Sequence, residues 1–128
     1  MNANFKRTIK QYLIQESRRL EKSIQAYQKR LERMSPSSGD DADHVVNLLE
    51  QSHTLTILEQ LRQQLNRVEA ARRRVAEGKY GICVDCHRAI PAERLKALPY
   101  ATLCVRCQSQ RERGPRSLMM SQSSLQAT

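Results

Sequence analysis

The chain has 128 residues, with 22 Lys and Arg against 13 Asp and Glu for a formal charge of +9. One Phe, four Tyr and no Trp exclude a large aromatic core, so the interior has to come from aliphatic stripes or a metal. No apolar run approaches the roughly 20 residues of a membrane span, and the charge favours an anionic partner, either nucleic acid or an acidic protein surface. A soluble, cytoplasmic protein is expected.

From about Asn4 to Met34 there is neither Gly nor Pro, and apolar residues fall at Phe5, Ile9, Leu13, Leu20, Ile24, Tyr27, Leu31 and Met34. The last five are spaced four, three, four, three, the seam of a coiled coil. Lys6, Arg7, Arg18, Arg19, Lys22, Lys29 and Arg30 lie away from it as a solvated face. Ser35-Pro36-Ser37-Ser38-Gly39 then interrupts the helix. A connection this short requires antiparallel neighbours.

A second helix is expected from about Asp40 to Glu77, with Leu48, Leu55, Leu58, Leu61, Leu65, Val68 and Val75 facing inward. Gly78 supplies the stop, since it accepts the left-handed conformation found just past helix ends. Folding about 36–39 makes partners whose numbers sum to about 77: Leu31 with Val46, Leu20 with Leu58, Ile9 with Val68, Phe5 with Arg72. Arms of about 30 residues would be about 45 Å long. Phe5 and Tyr12 then fall at the end of the hairpin that leads into Tyr80, where a small head is expected.

Asp40, Asp41 and Asp43 gather at the far tip of an otherwise basic chain. Capping explains one carboxylate through hydrogen bonds and the helix dipole. Three of them on a thin tip also make a local negative potential, and both readings stay open.

The chemistry concentrates in Cys83-Val84-Asp85-Cys86 and, after seventeen residues, Cys104-Val105-Arg106-Cys107. Two C-x2-C pairs at this separation are the pattern of a four-thiolate zinc site. With every position filled by sulfur, the zinc is structural and leaves no vacancy for substrate. It supplies much of the folding free energy of its segment, about 10–16 kcal/mol in small peptides. Disulfides would require an oxidising compartment, whereas Met1 to Leu13 is mixed and polar rather than a signal segment. His87 is expected in a turn rather than among the ligands. Between the pairs lie Ile90-Pro91 and the expected packing residues Leu95, Leu98 and Leu103, and a short last helix is expected from Cys104 to about Arg113. Residues 114–128, rich in Ser and Gln, are expected to be a disordered tail. The organisation is therefore a mainly α chain: a helical hairpin over 1–78 with its tip near 35–44, a zinc finger over 79–113, and the tail.

Tyr80-Gly81-Ile82-Cys83-x2-Cys86, Ile90-Pro91-x2-Arg94-Leu95-x-Ala97-x-Pro99 and Leu103-Cys104-x2-Cys107-Gln108 together resemble the zinc-finger signature of the DksA/TraR family of bacterial transcription factors. Asp40-x-x-Asp43 resembles that family's acidic coiled-coil tip. The resemblance implies a protein that binds RNA polymerase rather than a DNA sequence. Its coiled coil would enter the secondary channel, and Asp40 and Asp43 would act near the catalytic magnesium. The ligands would be Cys83, Cys86, Cys104 and Cys107. Where the family tip continues with Ala this chain has Val45, a bulkier residue expected to blunt the tip. In the family's best-known member two positions linked to the alarmone ppGpp carry cations, but here they hold Leu98 and Gln108, although Arg67 keeps a basic residue at a further one. Loss of charge-assisted phosphate contacts implies little ppGpp dependence.

A competing reading is a zinc-ribbon nucleic-acid binder using Arg72-Arg73-Arg74, Lys79, Arg88, Arg106, Arg111, Arg113 and Arg116 as a phosphate-contacting surface. It lacks the aromatic interleaving of single-strand binders. A coiled-coil adaptor that dimerises through its seam is a third reading, whereas an intramolecular hairpin predicts a monomer. No Ser/His/Asp constellation, phosphate loop or open metal position suggests an enzyme.

Overall fold

The computed structural model describes residues 3–34 and 41–113. Helix α1 runs over Ala3–Arg33 and helix α2 over Asp41–Ala76, each within one residue of the bounds expected from the distribution of Gly and Pro. Arg30 and Arg33 occupy the last turn of α1, where cations offset the partial negative charge of the unpaired carbonyls. Past α2, Gly78 takes φ +73°. Without a Cβ it reverses the chain at little cost.

The seam of α1 is Ile9, Leu13, Ser17, Leu20 and Ile24, all buried, with Tyr27, Leu31 and Met34 half-buried. Ser17 was hidden from a reading of apolar residues alone. It falls at the slot between Leu13 and Leu20, and its Oγ donates weakly to Glu21 Oε1 at 3.4 Å and to Glu69 Oε2 at 3.5 Å. The seam of α2 corrects the expected one. Leu58 and Val68 are buried and Leu61, Leu65 and Val75 half-buried, as the periodicity requires, but Leu48 and Leu55 are half exposed. Their places are taken by Gln51 and Thr54, which continue the four-three spacing of 54, 58, 61, 65 and 68 toward the start of the helix.

The register differs as well. Met34 carbonyl oxygen accepts from Gln51 Nε2 at 3.3 Å, and Thr54 Oγ1 donates to Met34 Sδ at 4.0 Å. The paired numbers sum to 85 for Met34 and Gln51, 88 for Met34 and Thr54, and 86 for Ser17 and Glu69, against the expected 77. Leu20 therefore does not face Leu58, nor Leu31 Val46, nor Ile9 Val68, nor Phe5 Arg72. Register in a coiled coil is set by matching seams over their full length, and a minimal connecting turn is a weaker constraint. As a result α1 ends beside residues 51–54, and α2 outruns it by about ten residues, or about 15 Å at 1.5 Å per residue.

The chain divides into two compact units, one extending to Val75 and the other beginning at Ala76. The second unit holds a short helix, α3, over Ala92–Ala97, and a helical segment over 105–113. Its interior is small: Tyr80, Cys83, Ile90, Leu95 and Cys107. Tyr80 places its ring inside and satisfies its hydroxyl by donating to the Pro99 carbonyl oxygen at 2.8 Å. Leu98, expected to pack, is half exposed, while Leu95 is fully enclosed. Pro91 sits at the N-cap of α3 with φ −56°, compatible with helix entry. The expected tail over 114–128 lies outside the described residues.

Candidate metal centre and hairpin tip

The first knuckle is built by backbone geometry. Cys83 N–H donates to the Arg88 carbonyl oxygen at 2.8 Å, and His87 N–H donates back to the Cys83 carbonyl oxygen at 2.9 Å. Closing the turn puts His87 at φ +62°, the left-handed region. His87 is thus the turn residue expected from sequence. An isolated antiparallel bridge between Ile82 and Ala89, with Ile90 N–H donating to Gly81 carbonyl oxygen at 2.7 Å, holds the base of the knuckle.

The second knuckle opens a helix. Cys104 carbonyl oxygen accepts from Gln108 N–H at 2.9 Å, and Cys104 Sγ accepts from Cys107 N–H at 3.5 Å. Arg94 ties α3 to this knuckle: its Nε donates to Leu103 carbonyl oxygen at 3.1 Å and its Nη2 to Gln108 Oε1 at 3.0 Å. Arg94 was legible as part of a motif, but its role as a strut was not, because its partners lie nine and fourteen residues away.

These two turns bring Cys83, Cys86, Cys104 and Cys107 together as free cysteines whose sulfurs all lie within 4.8 Å of one another. Cys86 and Cys104 Sγ are 3.9 Å apart. A zinc tetrahedron with Zn–S of about 2.3 Å has S···S edges of about 3.8 Å, so the set fits. Disulfide bonding, with S–S near 2 Å, does not fit that pair. Burial grades across the cluster. Cys83 and Cys107 are enclosed, Cys104 is half-buried and Cys86 is exposed.

The electrostatics divide the thiols. The backbone hydrogen bond from Cys86 pulls Cys83 down to about 6 from its ordinary 9.0, outweighing burial. Cys104 is lowered chiefly by the N–H of Cys107. Burial first, then the neighbouring thiols, push Cys107 up to about 12. The cluster therefore offers a ready thiolate at Cys83 and, at Cys107, a proton that a metal must displace.

At the tip, Asp43 and Val45 are exposed on α2, Val45 at 52%. Asp40 lies outside the described residues, so the paired-carboxylate expectation is placed only at Asp43. Sequence reasoning missed the apolar company around them: Val46, Leu48 and Leu49 are also half exposed or more. An open groove of about 550 Å³ continues along α2 past Leu48, Ser52 and Leu55. The basic surface is partly self-neutralised. Arg72 pairs with Glu69 at 3.0 Å and Arg111 with Asp85 at 2.6 Å, which withdraws two of the cations proposed as phosphate contacts. Among the described residues no helix is long and apolar enough to cross a membrane.

Residues 78–113 match the pattern of the prokaryotic dksA/traR C4-type zinc finger. Protein TraR of Escherichia coli is 36% identical over 75 residues, which cover 58% of this chain and 89% of that protein. The chain belongs to the DksA/TraR family. The likeness extends through the hairpin: transcription factor DksA2 from Pseudomonas aeruginosa superimposes with a TM-score of 0.81 at 25% identity, over 91% of this chain and 89% of that one. General stress protein 16O of Bacillus subtilis is 31% identical over 98 residues, 70% of this chain and 60% of its own length. The RNA polymerase-binding transcription factor DksA of Caulobacter vibrioides is 30% identical over 86 residues, 67% of this chain and 61% of its own length. The chain thus spans about three fifths of the length of these last two relatives. The four cysteines are the C4 zinc site of the family, and the zinc is structural.

Proposed function

We propose that this protein regulates transcription by binding RNA polymerase, its hairpin entering the secondary channel so that the tip works close to the active site. The observation that carries the reading is the union, in one chain, of a C4 zinc finger with a long helical hairpin, the chain superimposing on a DksA-type factor over nine tenths of its length. The name of the Caulobacter relative supplies the partner.

The geometry supports a probe of this kind. Over residues 41–50 α2 extends past the end of α1. Asp43 is exposed there, with Asp40 three residues before it in sequence. Carboxylates brought to a metal-dependent polymerase centre shift its electrostatics without making or breaking bonds. The zinc site, closed by four sulfurs, leaves no position for substrate, in keeping with a regulator rather than an enzyme.

Little response to ppGpp is part of the proposal. Leu98 offers no charge, and Gln108 is engaged by Arg94 and donates in turn to Glu112 Oε2 at 3.2 Å. The test is binding of the purified chain to polymerase core and, separately, to free duplex DNA across a salt series. Saturable binding to core, with DNA binding weak and lost at moderate salt, is the expected result. Tight DNA binding that falls steeply with log salt, in the absence of core binding, would overturn it.

A further inference from the structure

The two knuckles of the metal site are joined by more than the cysteines. Val84 N–H donates to Thr102 carbonyl oxygen at 2.9 Å. Arg111 grips Asp85 with two parallel bonds, Nε to Oδ2 at 2.9 Å and Nη2 to Oδ1 at 2.6 Å. This fork-on-carboxylate geometry is the strongest form of side-chain ion pair and fixes orientation as well as distance. Asp85 lies inside the first knuckle, directly before Cys86, and Arg111 lies one helical turn past Cys107 on segment 105–113.

The position of the pair matters because the four ligands are unequally protected. Cys83 and Cys107 are enclosed, whereas Cys86 is exposed and is the sulfur a competing chelator reaches first. Releasing Cys86 requires the 84–87 turn to swing away from segment 105–113, and the Asp85–Arg111 fork spans that movement. A tetrathiolate around Zn²⁺ also carries an excess of negative charge. Asp85, through its hydrogen bonds and its charge, holds the Arg111 proton more firmly than usual.

We propose that the Asp85–Arg111 pair is a latch on the exposed edge of the zinc site that sets how fast the metal is lost. Both residues act by positioning, since neither is a ligand. The latch holds the Cys86 turn against the final helical segment. Because the pair is partly exposed, with side chains at 34% and 59%, it is also open to screening by salt.

The experiment follows zinc transfer from the full, zinc-loaded chain to a chromogenic pyridylazo chelator. Arg111→Met and Asp85→Asn are each expected to release zinc about tenfold faster than the native chain, the lower end of what outer partners of metal ligands contribute. The double variant is expected to be no faster than either single one, because each removes the same interaction. Arg113→Met removes the same charge two residues further along the same segment and is expected to leave the rate unchanged. In the native chain release should quicken as ionic strength rises from about 0.01 to 1 M, where the Debye length falls from about 30 to 3 Å. Arg111→Met should lose that salt dependence. The native salt series requires no substitution and stands even if a variant folds poorly. Native rates in Arg111→Met, effects that multiply in the double variant, an equal effect from Arg113→Met, or salt-independent release by the native chain would each overturn the latch.

Discussion

Gln51 Nε2 reaches the carbonyl oxygen of Met34 at 3.3 Å, tying the end of α1 to a point ten residues inside α2. One consequence is that α2 begins well beyond the last residue of α1. Another is a seam that can be tested residue by residue. Leu58 is enclosed at 1% exposure, and Leu48 stands at 50%. Leu58→Ala should lower stability by about 2–5 kcal/mol through lost burial and a cavity. Leu48→Ala should stay within about 0.5 kcal/mol. Urea unfolding followed by helical circular dichroism distinguishes them, and equal costs would restore the seam that apolar spacing alone suggests.

The two helices, their ends and the four cysteines were legible because each rests on local chemistry: the absence of Gly and Pro, Gly78 at a stop, and a spacing that suits a tetrahedron. Register was not legible. It depends on which long-range match buries the most, and in α2 the seam passes through Gln51 and Thr54, polar residues that an apolar count skips. Ser17 escaped for the same reason. Helix α3 was missed because six residues are too few to show a period, although Pro91 followed by Ala92 and Glu93 is a helix-start signal. The Asp85–Arg111 and Arg94–Gln108 contacts join residues 26 and 14 positions apart, beyond any local pattern.

Zinc uptake should be coupled to protons in a defined sense. Cys83, lowered to about 6, is already thiolate at pH 7, whereas Cys107, raised to about 12, must give up a proton. Calorimetry at pH 7 in buffers of differing ionisation enthalpy should therefore report fewer than four protons released per zinc. For the metal-free fold the signs are opposed. The Cys83 contribution is present above pH 9.0 and lost as pH falls through about 6; that of Cys107 is present below 9.0 and lost as pH rises toward 12. Release of four protons at pH 7 would contradict this division of the thiols.

Gly78 has φ +73°, and a Cβ added there would meet nothing within 4 Å. Gly78→Ala should accordingly cost about 1–2 kcal/mol from backbone conformation alone. Thermal unfolding checks it, and a neutral result would mean that the left-handed turn is not required.

Tyr80→Phe keeps the buried ring and deletes the donor to Pro99 carbonyl oxygen. The expected loss is about 0.5–1.5 kcal/mol, with more if the carbonyl is left dry. Amide hydrogen exchange around residues 98–101 should quicken in the variant, and unchanged protection would show the hydrogen bond to be dispensable.

The most direct measurement of the central claim is transcription in vitro with purified polymerase, comparing the native chain with Asp40→Asn, Asp43→Asn and the double variant. The account predicts that all bind polymerase core with affinities within about twofold of native, and that the double variant loses most of the effect on initiation. A double variant that binds and regulates like the native chain would reduce the aspartates to helix caps and contradict a tip acting at the active site.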